Sequence, residues 1–208
     1  MSKDFKIRLV TIDDAEALLA IYTPFVISEE RSISDVSFEY EAPSLEEFAN
    51  RIQNISAEYP YLVCEYKGNL LGYAYAHPYI PRAAYQWGAE VTIYLAPEGQ
   101  GKGIGRVLYV ALEELLKMQG IINTYACVTA SNLHSVKMHE ALGYRIVGSF
   151  KQCGFKHGHW LDMVWLEKVL CERPQQPPLI KKYPELEDTL VEKVLAKASM
   201  EVATLNLA

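Results

Sequence analysis

The sequence predicts one α+β domain followed by a helical extension. Three observations carry this. Apolar residues recur at helical spacing in some segments and alternate in others. Two β-rich runs meet at a tight Lys67-Gly68-Asn69 turn, and a later strand runs straight into a glycine-rich loop that opens a helix. The chain has 208 residues, which at roughly 150 residues per domain supports a single core with a remainder.

Lys6 to Val10 reads as a short strand, and Thr11-Ile-Asp-Asp opens a helix whose Ala15, Leu18, Leu19, Tyr22 and Val26 share a face. After a polar loop, Ser37-Phe-Glu-Tyr-Glu is brief and extended. Pro43-Ser44 leads into a second helix through Phe48, Ile52 and Ile55, with Ser44 and Glu47 at capping-box spacing. Tyr61 to Tyr66 and Leu70 to Ala76 form the hairpin. A loop from His77 to Gly88 precedes the strand Ala89 to Ala96, with Glu90, Thr92 and Tyr94 on one face and Val91, Ile93 and Leu95 on the other.

Ile104, Leu108, Leu112 and Leu115 mark a helix that stops at Gly120, and a strand follows from Asn123 to Thr129. Asn132 caps a short helix through Leu142-Gly143, and Tyr144 to Gln152 and Trp160 to Val169 read as a closing pair of strands. The element order is β-α-α-β-β-β-α-β-α-β-β. The division expected is a domain over 1–171, a Pro-rich linker over 172–183 and a C-terminal amphipathic helix or tail over 184–208. In that tail Leu186, Leu190, Val194 and Leu195 fall on one side, to dock on the same domain or on a second subunit.

Composition narrows the function. Half the residues are hydrophobic, 22% are charged, and the 12 Gly and 10 Pro are too few for a low-complexity chain. A net charge of −6, with scattered Lys and Arg, is the wrong footprint for nucleic acid. Charges interrupt every apolar run near the start, and no uncharged stretch approaches the ~20 residues of a membrane span. A cytoplasmic protein with no membrane partner is expected. Cys64, Cys127, Cys153 and Cys171 lie far apart without a CxxC pair, so they read as reduced thiols, mostly packing residues. His157 and His159 lack the further ligands a zinc site needs, and no metal is expected.

Gln100-Gly-Lys-Gly-Ile-Gly joins a strand to a helix, and its glycines remove the Cβ atoms that would keep an anion from the backbone N–H groups. Its spacing fits neither a P-loop nor a dinucleotide fingerprint. The pattern Q-x-x-G-x-G after an extended T-I-Y-L strand resembles the coenzyme A pyrophosphate loop of the GNAT acyltransferases. Asn132, Ser135, Met138, His139 and Gly143-Tyr144 resemble that superfamily's next motif. Arg82 to Glu90, Met138 to Tyr144 and Gly154-Phe-Lys-His-Gly-His-Trp-Leu-Asp162 look like the phosphinothricin and methionine sulfone or sulfoximine N-acetyltransferases. The resemblance covers roughly residues 5–169, about one domain in size, and carries nothing over to the tail.

That resemblance implies a mixed, mainly antiparallel central sheet flanked by helices and split where acetyl-CoA enters. It also implies a homodimer, and transfer of an acetyl group to the primary amine of a small amino-acid-like acceptor. Residues 97–105 would hold the pyrophosphate, with Gln100, Gly101, Lys102, Gly103, Ile104, Gly105 and Arg106 as cofactor contacts beside Asn132, Ser135 and Lys137 of the next motif. Glu90 would accept the ammonium proton, and His139 stands where many GNAT proteins carry a tyrosine that protonates the departing thiolate. A partly buried Glu90 is expected to have a raised pKa. A backbone N–H in the Ile93, Tyr94, Leu95 segment is expected to polarise the thioester carbonyl. Arg82 is the candidate for an acceptor carboxylate, with Phe38, Tyr85 and Trp87 as an apolar wall. The readings competing with these are another amine acceptor, such as a polyamine, an antibiotic or a protein N-terminus, and a non-catalytic acyl-CoA-binding module.

Overall fold

The computed structural model describes residues 4–27 and 35–205. Its strands are β1 (Phe5–Leu9), β2 (Tyr61–Tyr66), β3 (Asn69–Pro78), β4 (Gly88–Leu95), β5 (Asn123–Thr129), β6 (Arg145–Lys156) and β7 (His159–Val169). The helices are α1 (Ala15–Val26), α2 (Leu45–Ser56), α3 (Ile104–Gln119), α4 (Leu133–Ala141) and α5 (Asp188–Val202). The expected element order is reproduced. Part of the polar loop expected after α1 falls on residues 28–34, outside the described residues, and Ser37 to Glu39 lie outside any strand.

Local chemistry sets the element ends. Lys67 and Gly68 both adopt positive φ, the turn that matches the twist of the β2–β3 hairpin. Ser44 Oγ accepts from the Glu47 N–H at 3.1 Å and so caps α2, while the Glu47 carboxylate turns instead to Arg51. Asn132 Oδ1 caps α4 in the same way, accepting from the Ser135 N–H.

The seven strands pair in the order β1-β2-β3-β4-β5-β7-β6, antiparallel except where β4 meets β5. That parallel contact covers only Gly88 to Glu90 against Asn123 to Tyr125. Beyond it β4 stays paired with β3 and β5 with β7, so the sheet opens down its middle.

Helices cover both faces. α1 and α2 lie over one, closing Leu18, Tyr22, Val26, Phe48 and Ile52 against Tyr61, Val63 and Tyr73. On the other face α3 contributes Ile104, Leu108, Leu112 and Leu115, and α5 adds Val191, Ala198 and Val202. Burying each such side chain contributes about 1.5–3 kcal/mol, which ties the tail firmly to the domain. The tail docks on its own domain, against α3 and β1. Of the expected face, Leu186 is buried and Val194 and Leu195 pack against the core, while Leu190 is 39% exposed and Val191, Ala198 and Val202 join the inward side. Contact with two elements at once, rather than helical period alone, selects that face. The Ile7 N–H donates to Ser199 Oγ at 2.9 Å and joins α5 to β1.

The cysteines also divide differently from the packing role expected of most of them. Cys64 is buried and Cys127 half-buried, whereas Cys153 and Cys171 are exposed. Among the described residues no helix is long and apolar enough to cross a membrane.

Gly99 closes the turn that leads into the glycine-rich loop, and a Cβ there would stand 2.5 Å from the Leu71 carbonyl oxygen. Because the clash is with backbone, Gly99→Ala is expected to cost about 1–3 kcal/mol. Thermal melting should fall by roughly 2–12 °C, at about 2–4 °C per kcal/mol for a chain of this size. An unchanged melting temperature would show that the turn shifts freely.

Candidate active site

Once β4 and β5 part, the gap between them becomes a cleft of about 190 Å³. It is lined by β4 residues Glu90 to Tyr94, β5 residues Ala126 to Thr129, Tyr109 of α3, and Asn132, Ser135 and His139 around α4. Val36 and Tyr75 complete the wall. Every second residue of β4 past Glu90 turns its backbone N–H and C=O toward the missing neighbour, so the gap is edged with unspent peptide groups.

Glu90 sits at the last paired position, where the strands begin to diverge. Burial lifts its carboxyl above the usual carboxylate range, and His77 draws it partly back down. The His77 Nε2 lies 4.0 Å from Glu90 Oε2, because the two residues face each other across the β3–β4 register.

His139 is 2% exposed. Its Nδ1 lies 2.8 Å from the Ser135 carbonyl oxygen, which only accepts, so Nδ1 carries the proton. Burial holds the imidazole below its ordinary pKa of 6.5, with the Ser135 contact opposing. The ring is therefore neutral at pH 7, and Nε2 accepts from the Tyr109 O–H at 3.1 Å. The proton in that contact is the Tyr109 hydroxyl's, and burial pushes that hydroxyl well above its ordinary range. Tyr109 was hidden in the sequence among the apolar positions of α3, where an aromatic reads as core. Cys127, also in the wall, has its thiol pushed up to about 12 by burial.

The glycine-rich loop lies at the N-terminus of α3. Gly101 and Gly103 take φ of 69° and 84°, a region only glycine enters without strain. The first bond of the helix runs from the Val107 N–H to the Gly103 oxygen, so the N–H groups of Ile104, Gly105 and Arg106 precede the ladder and remain for an anion. Gly105 has a second task, since a Cβ there would meet Met138, Ile93 and Leu95 within 3.4 Å. Gln100 ties the loop to β4, its Nε2 donating to the Leu95 carbonyl at 3.0 Å. Lys102 is half-exposed, and Arg106 and Lys137 are exposed cations.

The structure thus brings Glu90, Ile93, Tyr94, Asn132, Ser135 and His139 to one cleft, with the loop 100–106 at the start of α3. It does not bring Phe38, Arg82, Tyr85 or Trp87 into the cleft wall. Phe38 covers Gly154 on β6, Tyr85 packs edge-on against Tyr79, and the Trp87 indole N–H donates to the Pro178 carbonyl in the linker. Arg82 is exposed on the loop that joins β3 to β4. His157 occupies the β6–β7 turn and His159 pairs with Asp35 at 3.3 Å. Among the described residues no cluster of three or more His, Cys, Asp or Glu side chains is placed to hold a metal.

A sheet opened between a parallel pair, with a glycine loop and helix N-terminus at its side, defines an acyl-CoA-dependent transferase. The chain belongs to the GNAT acetyltransferase family, whose acetyltransferase (GNAT) domain matches residues 7–165. It is 33% identical over 173 residues to a phosphinothricin N-acetyltransferase of Streptomyces viridochromogenes, covering 83% of this chain and 92% of that protein. Over 166 residues it is 37% identical to the phosphinothricin N-acetyltransferase of Alcaligenes faecalis, covering 79% and 82% of the two chains. A GNAT superfamily phosphinothricin acetyltransferase from Sinorhizobium meliloti, solved in complex with AcCoA, superposes with a TM-score of 0.78 at 33% identity, covering 88% of this chain and 97% of that one.

Were Glu90 the base for the acceptor ammonium, its raised carboxyl would set a pH dependence. A base works only when deprotonated, so turnover should be low in acid and rise through a pKa above 4.5, the ordinary value for this group. Glu90→Gln is expected to lower kcat by roughly 10²–10⁴ and to remove that limb from the pH–rate profile. Tyr109→Phe should lower kcat with little change in acetyl-CoA affinity. Wild-type turnover at every pH in either variant would remove that residue from the chemistry.

Proposed function

We propose that this chain transfers the acetyl group of acetyl-CoA to the primary amine of a small amino-acid-like acceptor of the phosphinothricin or methionine sulfone and sulfoximine type. One observation carries the reading: the half-buried base Glu90 stands where the β4–β5 gap opens, with the glycine loop on the same helix as Tyr109. The relatives' names point to the acceptor class.

The residues fit acetyl-CoA. Gly101 and Gly103 leave room for a pyrophosphate, and the N–H groups of residues 104–106 and the α3 dipole favour its charge. The gap between β4 and β5 suits a pantetheine arm, which takes hydrogen bonds from strand edges as a third strand would. Asn132 and Ser135 flank it. Acetyl-CoA supplies an activated thioester carbonyl.

Glu90 receives the proton of the acceptor ammonium, directly or through water, and leaves a neutral amine to attack. A β4 backbone N–H within Ile93 to Leu95 steadies the carbonyl oxygen as negative charge develops on it. As the C–S bond breaks, the proton that the attacking nitrogen sheds is relayed through the Tyr109 hydroxyl to the departing thiolate, so Tyr109 ends protonated and hydrogen-bonded to His139 Nε2 as it began. The transfer is direct. Cys127 is the one cysteine in the cleft wall, and with a pKa of about 12 it is thiolate in only about one molecule in 10⁵ at pH 7.

Arg82 lies on the loop that follows His77, on the Glu90 side of the cleft, and is our candidate for the acceptor carboxylate. The edge strand β6 exposes Ile146, Val147, Phe150 and Phe155, beside Trp160 of β7, and is the surface we assign to homodimer contact.

Thiol release should be selective for phosphinothricin and methionine sulfone or sulfoximine over polyamines and aminoglycosides. Arg82→Ala should raise KM about tenfold for carboxylate-bearing amines, the loss expected of one charge-assisted contact, and leave their decarboxylated analogues unchanged. Acetyl-CoA binding without turnover on any amine would overturn the reading. Light scattering should give twice the chain mass, and Phe150→Glu should halve it.

A further inference from the structure

The C-terminal extension runs the full length of α3 in the opposite direction. At the C-terminal end of α3, Ile180 packs 3.4 Å from the point where a Cβ of Gly120 would stand, and Gln119 Nε2 donates to the Lys181 carbonyl. At the other end Leu205, just past α5, places its methyl groups 3.3 and 3.6 Å from the corresponding point on Gly103. Within the described residues, the tail reaches the glycine-rich loop at Leu205.

We propose that the C-terminal extension is part of the cofactor site, with Leu205 a positioning residue that holds the loop 101–105 in its anion-binding form. This rests on the reading of that loop as the acetyl-CoA pyrophosphate site. A loop with glycine at alternate positions samples many conformations, and ordering it on binding subtracts from affinity. A contact that orders it beforehand removes part of that loss. Leu205 is suited to this because its own base is fixed: its N–H donates to the Val202 carbonyl at 3.1 Å, and Val202 is fully buried. Ser199, three residues earlier, is hydrogen-bonded to Ile7 of β1.

The test uses the full chain carrying Leu205→Ala, with Leu205→Met as the conservative control and a chain ending at Thr204 as a second variant. Acetyl-CoA affinity is measured by calorimetry. Turnover is compared between acetyl-CoA and S-acetylpantetheine, which lacks the pyrophosphate and nucleotide. Leu205→Ala and the shortened chain should bind acetyl-CoA about fivefold to tenfold more weakly, tenfold being ~1.4 kcal/mol. Acceptor KM and kcat/KM with S-acetylpantetheine should be unchanged, and Leu205→Met should restore affinity. Equal affinity in wild type and variants would overturn the proposal while leaving the loop reading intact. Equal losses with both thioesters would make Leu205 a general packing residue, and tighter binding would make the tail an obstruction. If the wild-type chain itself fails to bind acetyl-CoA, the loop reading falls and takes this proposal with it.

Discussion

Everything at the site depends on how briefly β4 and β5 are paired. Three residues of parallel contact are enough to hold the two halves of the sheet in one plane, and too few to satisfy the peptide groups that follow. An open sheet interior is ordinarily costly, because each buried N–H or C=O without a partner forfeits a hydrogen bond. Here the unpaired groups line a cleft of about 190 Å³, the one into which we propose the pantetheine arm fits. The same divergence leaves Glu90 at the vertex, half-buried yet reachable, which is the condition under which a carboxylate acquires a raised pKa without being lost to solvent.

The two helices flanking the gap divide the work. α3 brings the loop at its N-terminus and, one and a half turns in, the Tyr109 hydroxyl. α4 brings His139, whose tautomer is fixed by its own helix through the Ser135 carbonyl. Gly105 lets these helices close on β4 with Met138, Ile93 and Leu95 in contact, so the distance between the glycine-rich loop and the Tyr109–His139 pair is set by packing rather than by a hinge. A site assembled this way has little slack along α3.

Much of this was legible in the sequence, for local reasons. The hairpin turn, the Ser44 and Asn132 caps, the Gly120 stop and the strand-to-helix turn through Gly101 and Gly103 are all decided within a few residues, and the structure places each of them there. Glu90 stood out through the family resemblance, and its half-buried place at the end of the β4–β5 pairing is set by the sheet. What escaped was set at long range. His77 reaches Glu90 only through strand register, Tyr109 reaches His139 from another helix, and Trp87 finds its acceptor 91 residues away at Pro178. On α5 only Leu190 departs from the expected inward face, because Leu190 and Val191 are equally apolar and only the positions of α3 and β1 distinguish them.

The hydrogen bond between Ile7 and Ser199 spans 192 positions of a 208-residue chain. Contacts of such sequence separation form late, since closing the loop between their ends carries an entropic cost that local contacts escape. During synthesis the first strand must wait for nearly the whole polypeptide before its outer neighbour exists. Until then one side of α3 stays uncovered, with Val107, Val110 and Ala111 facing water. The interval between emergence of the sheet and arrival of the last helix is therefore the period in which this chain is most exposed to aggregation.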